Sequence, residues 1–494
     1  MIVLGLDIGT TTLAGVALEL SADGGPARLV QTASEPGGAA VMRPGSPLDE
    51  QQPELVLAAA ERLIARLSAG APEPPAAIGL TGQMHGIVYT DAAGAACSPL
   101  YTWQHRSGLA PASEADAAGS PDAGGETLAA RLSRLSGYPL ATGYGVVTHA
   151  ALERADAVPR EAVAMGTIAD YVAMRLCGRR MPVLEPSQAA GLGGYDLDAG
   201  AYDRAALARA GIGTALLPPV SAAPEPIGYT PGGAAVCAAI GDNQASVLGA
   251  LRELETELLL NIGTGSQLSM YAARPLRVPG LETRPFPGGG CLLVGAALAG
   301  GQAYALLERF LRGVVEELGS GRDAGASVLP EGALYARMED LLDREERAGR
   351  AAAGTVPDTQ LRVHTQFYGT RQDPHARGAV AGIGPDNWTP GQLITGVLDG
   401  IADELHGYWE ALPPAVRGRV STLAGAGGAL RRSRHLALAC ARRFGLPLRR
   451  PALAEEAAVG AALHAAVCVG AIDGYAAAGG RLPDGESEER EIRG

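Results

Sequence analysis

Two similar stretches, half a chain apart, decide the fold: Asp7-Ile8-Gly9-Thr10-Thr11-Thr12 and Asn261-Ile262-Gly263-Thr264-Gly265-Ser266. Each lies between two short apolar runs, which predicts a strand, a tight glycine turn and a second strand. A repeat at this distance is too long for a solenoid. Two related domains that each open with the same hairpin would leave this pattern in the sequence.

Strand-like and helix-like patterns alternate along both halves, which predicts an α/β protein. Apolar spacing and capping signals predict helices over residues 55–69, 168–176, 245–254, 389–412, 433–444 and 459–469. We expect an N-terminal domain of residues 1–247 and a C-terminal domain of residues 248–478. Residues 479–494 are predicted to form a flexible tail, and the Gly- and Ala-rich stretches 112–125 and 319–326 are predicted to be loops.

Composition excludes several classes of protein. The 494-residue chain carries a formal net charge of −13, which argues against nucleic acid or a membrane as its main partner. All 40 of its lysine-plus-arginine residues are arginine, so a Walker A lysine, a pyridoxal Schiff base and the usual protein-kinase lysine are excluded. Six dispersed cysteines match neither a disulfide framework nor a zinc site. We expect a cytoplasmic protein, because neither a basic leader nor a long apolar segment is evident.

The first hairpin carries groups that can hold phosphate. Its glycine lets the backbone approach a ligand, its N–H groups can form an anion nest, and its threonine hydroxyls add donors. Asp7, directly before the turn, can hold Mg²⁺ through water. An ordinary glycine hairpin is the alternative for one such turn, but the repeat favours two phosphate loops that close on one nucleotide. The residues predicted to bind this nucleotide are Gly9, Thr10, Thr11, Thr12, Gly263, Thr264 and Gly265.

A third glycine-rich stretch, Leu423-Ala424-Gly425-Ala426-Gly427-Gly428-Ala429, follows a predicted strand and precedes a predicted helix. It does not match G-x-G-x-x-G, and a close-packing turn between strand and helix explains it equally well. As the third loop of this kind, it predicts an adenosine site at Gly425, Gly427 and Gly428.

Asp242, in Gly241-Asp242-Asn243-Gln244, is the candidate general base. It follows a predicted strand and precedes a predicted helix, so a helix cap is the alternative role. A carboxylate here can accept the proton of an alcohol that attacks a phosphoryl group, which is worth typically ~10²–10⁴-fold. Alignment of that alcohol with the γ-phosphate, together with Mg²⁺, would supply most of the remaining acceleration.

Three more segments are candidates for a polyol pocket. Gln83-Met84-His85-Gly86 lies at a predicted strand end, where a lone histidine is often structural. Trp103 offers an aromatic face beside polar neighbours, which suits the CH face and hydroxyls of a polyol. Asp170 lies at or near the start of a helix, where a capping or exposed aspartate is the alternative.

In their order and spacing, these motifs resemble those of the FGGY carbohydrate kinases, within the actin-like ATPase superfamily, over nearly the whole chain. The resemblance implies two ribonuclease-H-like domains around a central cleft, with ATP and Mg²⁺ between the hairpins and a sugar deeper against the first domain. Family members are often dimers, so a homodimer is one expected assembly. The resemblance implies Asp242 as the base and, as sugar contacts, Gln83, Met84, His85, Trp103, Asp170 and Asn243.

Within this family the chain is most similar to the sedoheptulokinases, through residues 102–104, 141–145, 166–172 and 187–190. This likeness implies γ-phosphoryl transfer to a terminal ketose hydroxyl, from sedoheptulose to sedoheptulose 7-phosphate. Xylulokinases share the Gln-Met-His-Gly cluster, so a pentulose or another polyol is the alternative substrate. A non-enzymatic actin-like ATP-binding protein is the alternative class, although a polyol cluster and Asp242 would have no use there. One departure affects the sugar: where the family often has an acidic residue and then an arginine, this chain has His105 and Ser107.

Overall fold

The computed structural model describes residues 1–37, 42, 49–112, 125–221, 223–319, 329–351, 361–370, 373 and 375–487. This part of the chain forms two seven-stranded sheets, one in each half, with helices around them. The loops predicted at 112–125 and 319–326 lie almost wholly outside the described residues. None of the described helices combines the length and the apolar character that crossing a bilayer requires.

The first sheet is built on the hairpin that opens the chain. Ile2–Ile8 is antiparallel to Thr12–Glu19 and parallel to Ala77–Gly82. Alternate side chains of the first strand enter different cores: Leu4 packs with the helix Pro53–Ala69, while Val3 packs with the helix Glu456–Cys468. In spatial order the strands are Pro226–Tyr229, Ala235–Cys237, Ala77–Gly82, Ile2–Ile8, Thr12–Glu19 and Arg28–Pro36, with Ile240–Gly241 also beside Ala77–Gly82.

The second sheet repeats the hairpin, with Glu257–Ile262 antiparallel to Ser266–Ala272 and parallel to Thr422–Ala426. In spatial order its strands are Glu282–Pro285, Cys291–Ala297, Ser266–Ala272, Glu257–Ile262, Thr422–Ala426, Leu448–Arg450 and Glu486–Ser487. The start of the expected flexible tail differs from that expectation. Gly479–Arg481 forms a 3-10 turn, Leu482 is buried, and Glu486–Ser487 pairs with Leu448–Arg450. Residues 488–494 lie outside the described residues.

Four short two-stranded pairs and a set of helices complete the described chain. The strand pairs are Glu50–Gln51 with Leu100–Tyr101, Val88–Thr90 with Ala164–Gly166, Tyr195–Asp196 with Ala201–Tyr202, and Arg362–His364 with Ala379–Ala381. The helices are Pro53–Ala69, Leu128–Ser136, Gly145–Arg154, Ile168–Leu176, Pro186–Leu192, Arg204–Arg209, Asp242–Ala250, Gly301–Gly319, Tyr335–Ala351, Pro390–Ala411, Pro414–Arg417, Gly428–Arg432, Arg434–Phe444, Glu456–Cys468 and Tyr475–Ala478, with a 3-10 turn at Arg106–Leu109.

Side-chain caps explain why the predicted helices begin where they do. The hydroxyls of Thr167, Thr389 and Ser433 each accept a backbone N–H from the first turn of the helix that follows. The helix predicted over 245–254 begins earlier, at Asp242, because Gly241 adopts the extended N-cap conformation. The glycine-rich turn predicted over 424–428 is shorter than expected, since Thr422–Ala426 is a strand and only Gly427 lies between strand and helix.

Two helices lie against each other and join both halves of the molecule. The helices Asp242–Ala250 and Glu456–Cys468 share one hydrophobic core with strands of both sheets. Glycine permits their close contact: a Cβ atom at Gly460 would lie 1.8 Å from the carbonyl oxygen of Ala245. The scarcity of aromatic residues and the abundance of small ones therefore serve backbone-to-backbone packing.

Candidate active site

Three neighbouring parallel strands, ending at residues 8, 82 and 241, have their carboxyl ends in register. Asp7 lies at the end of the first strand, Gln83 follows the second and Asp242 follows the third. In an open parallel sheet, ligands bind beyond the carboxyl ends of the strands. The fold therefore brings the predicted metal site, sugar cluster and base to one edge of the first sheet.

Asp7 and Asp242 lie close enough for their charges to interact. Burial, together with the negative charges of Asp242 and Glu455, raises the pKa of Asp7 to about 7. Burial also raises the pKa of Asp242, and the positive charge of Arg284 opposes this effect. Asp242 is the first residue of its helix, and its Oδ1 accepts the N–H of Asn243 at 2.7 Å. Two carboxylates with raised pKa values at one edge are typical of an acid–base or cation site.

The turn of the first hairpin is tied to the predicted sugar residues through Thr10. The indole N–H of Trp103 donates to Thr10 Oγ1 at 3.0 Å, and Gln51 Nε2 donates to the Thr10 carbonyl oxygen at 2.8 Å. Gln83 Nε2 donates to Gln51 Oε1 at 3.1 Å. Gly9 is half-buried, and a Cβ atom there would lie 2.7 Å from the carbonyl oxygen of Thr12. Thr11 and Thr12 are exposed, so this turn is open to a ligand.

The second hairpin lies beside the third glycine-rich loop. Asn261 is in register with Ala426, so the turns that follow the two strands are adjacent. Gly427 has a φ of 89°, which only glycine adopts easily, and a Cβ atom there would lie 2.6 Å from Asn261 Oδ1. Gly263, Thr264 and Gly265 remain accessible, whereas Gly425 does not: it lies inside the strand, buried against Leu448. Of the three glycines predicted at the adenosine site, Gly427 and Gly428 therefore lie at this pair of turns, and Gly425 lies behind them in the strand.

Met84 packs against the strand end that precedes Asp242, and His85, the next residue, is held by two contacts. His85 has a φ of 75°, rare for a non-glycine residue, and its ring lies flat against Tyr144 with centroids 4.4 Å apart. Its Nδ1 lies 2.6 Å from the carbonyl oxygen of Gly191, and because that oxygen only accepts, Nδ1 carries a proton. Met84 packs against Gly241, where a Cβ atom would lie 2.8 Å from the sulfur.

Two predicted sugar contacts are buried in the protein. Asn243 Nδ2 donates to Ser269 Oγ of the second sheet at 2.9 Å, which links the Asp242 helix to the other half of the molecule. Asp170 is 1% exposed, accepts the hydroxyl of Thr167 at 2.6 Å and has a pKa that burial raises to about 8. The structure therefore buries Asp170, whereas Trp103 is accessible.

His105, which stands where relatives often have an acidic residue, takes part in a local loop contact. Its Nδ1 lies 3.0 Å from Ser107 Oγ, and its ring meets that of Tyr101 edge to face. Burial lowers the pKa of His105, so the ring stays neutral around neutral pH. The two residues that depart from the family pattern thus contact each other.

Sequence patterns did not identify Arg284, Tyr144 and Glu455 as site residues, although Arg284 affects the pKa of Asp242 and Glu455 that of Asp7. Arg284, ion-paired with Glu282 at 2.6 Å, and Tyr144 come from distant parts of the chain. Glu455 has a φ of 61° and stands directly before the helix Glu456–Cys468. Arg284 lies in no motif, and Tyr144 lies in the stretch 141–145 without a predicted role, so only the fold shows that the two are close. For Glu455 the sequence held one weak signal, which is an acidic residue directly before a helix of small residues.

Two sheets that open with matched hairpins, and a carboxylate-lined edge between them, define the class of two-domain actin-like ATPase folds. The family model of the N-terminal domain of the FGGY carbohydrate kinases matches residues 2–251, and that of the C-terminal domain matches residues 258–469. The chain therefore belongs to the FGGY family of carbohydrate kinases. It is a sugar kinase, a phosphotransferase, as its motifs predicted.

Individual relatives agree in fold and differ in named substrate. The chain is 28% identical over 488 residues to sedoheptulokinase from Homo sapiens, covering 94% of this chain and 96% of that enzyme. It superposes on xylulose kinase from Rhodospirillum rubrum with a TM-score of 0.76 at 22% identity, covering 99% and 94% of the two chains. It superposes equally well, with a TM-score of 0.76 at 19% identity, on gluconate kinase from Lactobacillus acidophilus, covering 98% and 93%.

Proposed function

We propose that this kinase transfers the γ-phosphoryl group of ATP to a terminal hydroxyl of a ketose, with sedoheptulose as substrate and sedoheptulose 7-phosphate as product. The observation that carries the reaction is the meeting of Asp7, Gln83 and Asp242 at three adjacent strand ends. The choice of sugar rests on the similarity to sedoheptulokinase along nearly the whole chain. A pentulose such as xylulose is the second candidate, because a xylulose kinase shares the fold at 22% identity.

In this proposal the nucleotide lies between the two hairpins. The accessible turns at Gly9–Thr12 and Gly263–Gly265 supply N–H and hydroxyl donors to phosphate oxygens, and Gly427 and Gly428 border the adenosine. Asp7 fits a Mg²⁺ site, because carboxylate oxygen is a ligand that Mg²⁺ prefers. Burial and the negative charges of Asp242 and Glu455 raise the pKa of Asp7 to about 7, and a bound cation would favour its ionised form. Bound Mg²⁺ would neutralise charge on the transferred phosphoryl group.

Asp242 acts as the general base on the sugar hydroxyl. Burial raises its pKa, which makes the carboxylate a stronger base than a solvated aspartate, and the positive charge of Arg284 favours the ionised form. Its place at the start of a helix fixes the direction of the carboxylate. Water must be excluded when the sugar binds, since the same base could otherwise activate a water molecule.

The sugar lies against Trp103, Gln83, Met84 and His85. Trp103 is 46% exposed and presents its ring face, while its N–H is already bonded to Thr10. His85 is held by Gly191 and Tyr144, so it offers a fixed polar edge. For Asp170 and Asn243 the burial described above favours an indirect part in the pocket, through the elements that they connect.

The test is ATP-dependent phosphorylation of sedoheptulose, xylulose, ribulose, fructose and glycerol, with a no-sugar control. We expect the highest kcat/KM for sedoheptulose; a clear preference for another polyol would move the substrate and keep the reaction. Asp242→Asn should reduce turnover by ~10²–10⁴-fold while ATP still binds. Asp203→Asn is the matched control, because Asp203 is also an aspartate at the start of a helix, but of the helix Arg204–Arg209, which follows none of these three strands. Unchanged turnover in Asp242→Asn would remove Asp242 from the role of base.

A further inference from the structure

The Ile240–Gly241 peptide group lies one peptide bond before Asp242, and buried side chains bond both its carbonyl oxygen and its N–H. Its carbonyl oxygen accepts Gln188 Nε2–H at 3.0 Å and the hydroxyl of Thr81 at 2.8 Å. Its N–H donates to Ser187 Oγ at 2.8 Å. Thr81, Ser187 and Gln188 are each 0% exposed, so these bonds are shielded from water.

The backbone N–H of Gly241 determines which atoms donate and which accept in this network. The backbone N–H of Gly241 must donate, so Ser187 Oγ is the acceptor and its own proton goes to Glu185. Glu185 Oε2 also accepts the backbone N–H of Ser187 at 2.7 Å, which fixes the carboxylate at the start of the helix Pro186–Leu192. A hydroxyl whose proton is bound by a carboxylate is a stronger acceptor.

Because residue 241 is a glycine, the peptide before the Asp242 helix has to be oriented by side chains from another element. A Cβ atom at Gly241 would lie 2.8 Å from the sulfur of Met84, so the position has no room for a side chain. As the N-cap of the Asp242 helix, Gly241 therefore supplies no side-chain cap of its own. Its peptide is oriented instead by the side chains of the helix Pro186–Leu192.

We propose that Ser187, oriented by Glu185, is a positioning residue for phosphoryl transfer. It fixes the peptide before Asp242 and thereby the direction of the Asp242 carboxylate. Ser187 and Glu185 are both buried, so we expect both to act through Asp242. The inference rests on the proposed role of Asp242 as the base.

The first experiment compares three variants under saturating ATP and sugar. Ser187→Ala should lower kcat by about 10- to 100-fold, as expected for a sub-ångström to 1 Å misplacement of a base, with KM for ATP and sugar within about twofold. Ser187→Thr retains the hydroxyl and should restore most of kcat. Ser136→Ala is the matched control: Ser136 also accepts a backbone N–H, from Tyr138, and donates to a backbone carbonyl, but lies remote from Asp242. A normal kcat in Ser187→Ala, or equal losses in the Ser187 and Ser136 variants, would overturn the proposal.

The second experiment separates this inference from the role of Asp242 itself. In an Asp242→Asn background, Ser187→Ala should change the residual rate by less than about twofold, because the group that it positions is gone. The same 10- to 100-fold loss in both backgrounds would show that Ser187 acts elsewhere. If Asp242→Asn alone were fully active, the proposed function would fail independently of Ser187. Should Ser187→Ala not fold, Glu185→Gln, which keeps the shape and an acceptor oxygen, gives the same comparison with a smaller expected loss of kcat.

Discussion

The contact between the helices Asp242–Ala250 and Glu456–Cys468 gives a quantitative test of how Asp242 is held. A Cβ atom at Gly460 would lie 1.8 Å from the carbonyl oxygen of Ala245, which is three residues beyond Asp242. Real Cβ contacts essentially never fall below 3.0 Å, so Gly460→Ala requires the two backbones to separate by about 1.2 Å. Neither contacting atom can rotate away, because one is backbone and the other is a Cβ atom.

Two opposing effects set the expected size of this change. Replacing glycine by alanine inside a helix gains up to ~1 kcal/mol of helix propensity. Overpacking costs typically ~1–3 kcal/mol, and more where the backbone itself must move. Since the separation is about 1.2 Å between two buried helices, we expect Gly460→Ala to lower the free energy of unfolding by about 2 kcal/mol. A shift of ~1 Å at the proposed base, Asp242, can cost ~100-fold in rate, so kcat should fall even where the protein stays folded.

The assay combines urea denaturation with kcat measured at saturating ATP and sugar. Gly407→Ala is the matched control, because Gly407 also lies inside a helix, Pro390–Ala411, but among the described residues no atom other than the neighbouring backbone of that helix lies within 4 Å of a Cβ placed there. Gly407→Ala should be neutral or stabilising by up to ~1 kcal/mol, with kcat unchanged. If Gly460→Ala matched Gly407→Ala in stability and kcat, the close helix contact and its link to Asp242 would be refuted.

Two further predictions concern buried ionisable side chains. Burial raises the pKa of Asp170 to about 8, so the folded protein binds a proton that the unfolded chain releases above its pKa of 3.8, and stability falls as pH rises from 4 towards 8. Asp170→Asn should therefore gain stability relative to wild type by at most ~1.4 kcal/mol per pH unit over this range, and a pH-independent difference in urea denaturation would contradict it. Arg449 Nη2 lies 2.8 Å from Glu257 Oε2 with both residues under 10% exposed. Arg449→Met should cost ~3–5 kcal/mol because it leaves a buried carboxylate unpaired, whereas adding Glu257→Gln should recover part of that loss; equal losses would count against this reason.

The motifs predicted the fold because each is local. A strand, a glycine turn and a second strand are encoded within about twenty residues, so the hairpins at Asp7–Thr12 and Asn261–Ser266 could be recognised without knowing what packs on them. The sequence also predicted the helix Ile168–Leu176 with its bounds, because Thr167 caps it and Gly178 follows its end. Family membership then confirmed the kinase class that these motifs implied.

The electrostatic surroundings of Asp242 could not be predicted from the sequence. Arg284 influences its pKa from a strand of the second sheet, and Asn243 turns out to bond Ser269 of that same sheet. Such pairs depend on how the two sheets pack together, and the spacing of residues within a motif carries no information about that packing. The early start of the Asp242 helix was missed for a related reason, since its cap is a glycine held by Ser187 from elsewhere in the chain.

The packing also constrains how the two halves can move. The helix Glu456–Cys468 belongs to the second half by sequence, yet Gly5 and Gly79 of the first sheet bring that sheet's backbone into contact with it. A motion that rotated residues 248–478 as one block would have to break these contacts, which are too close to slide past a side chain. We therefore expect any closure on a substrate to leave this helix on the first sheet.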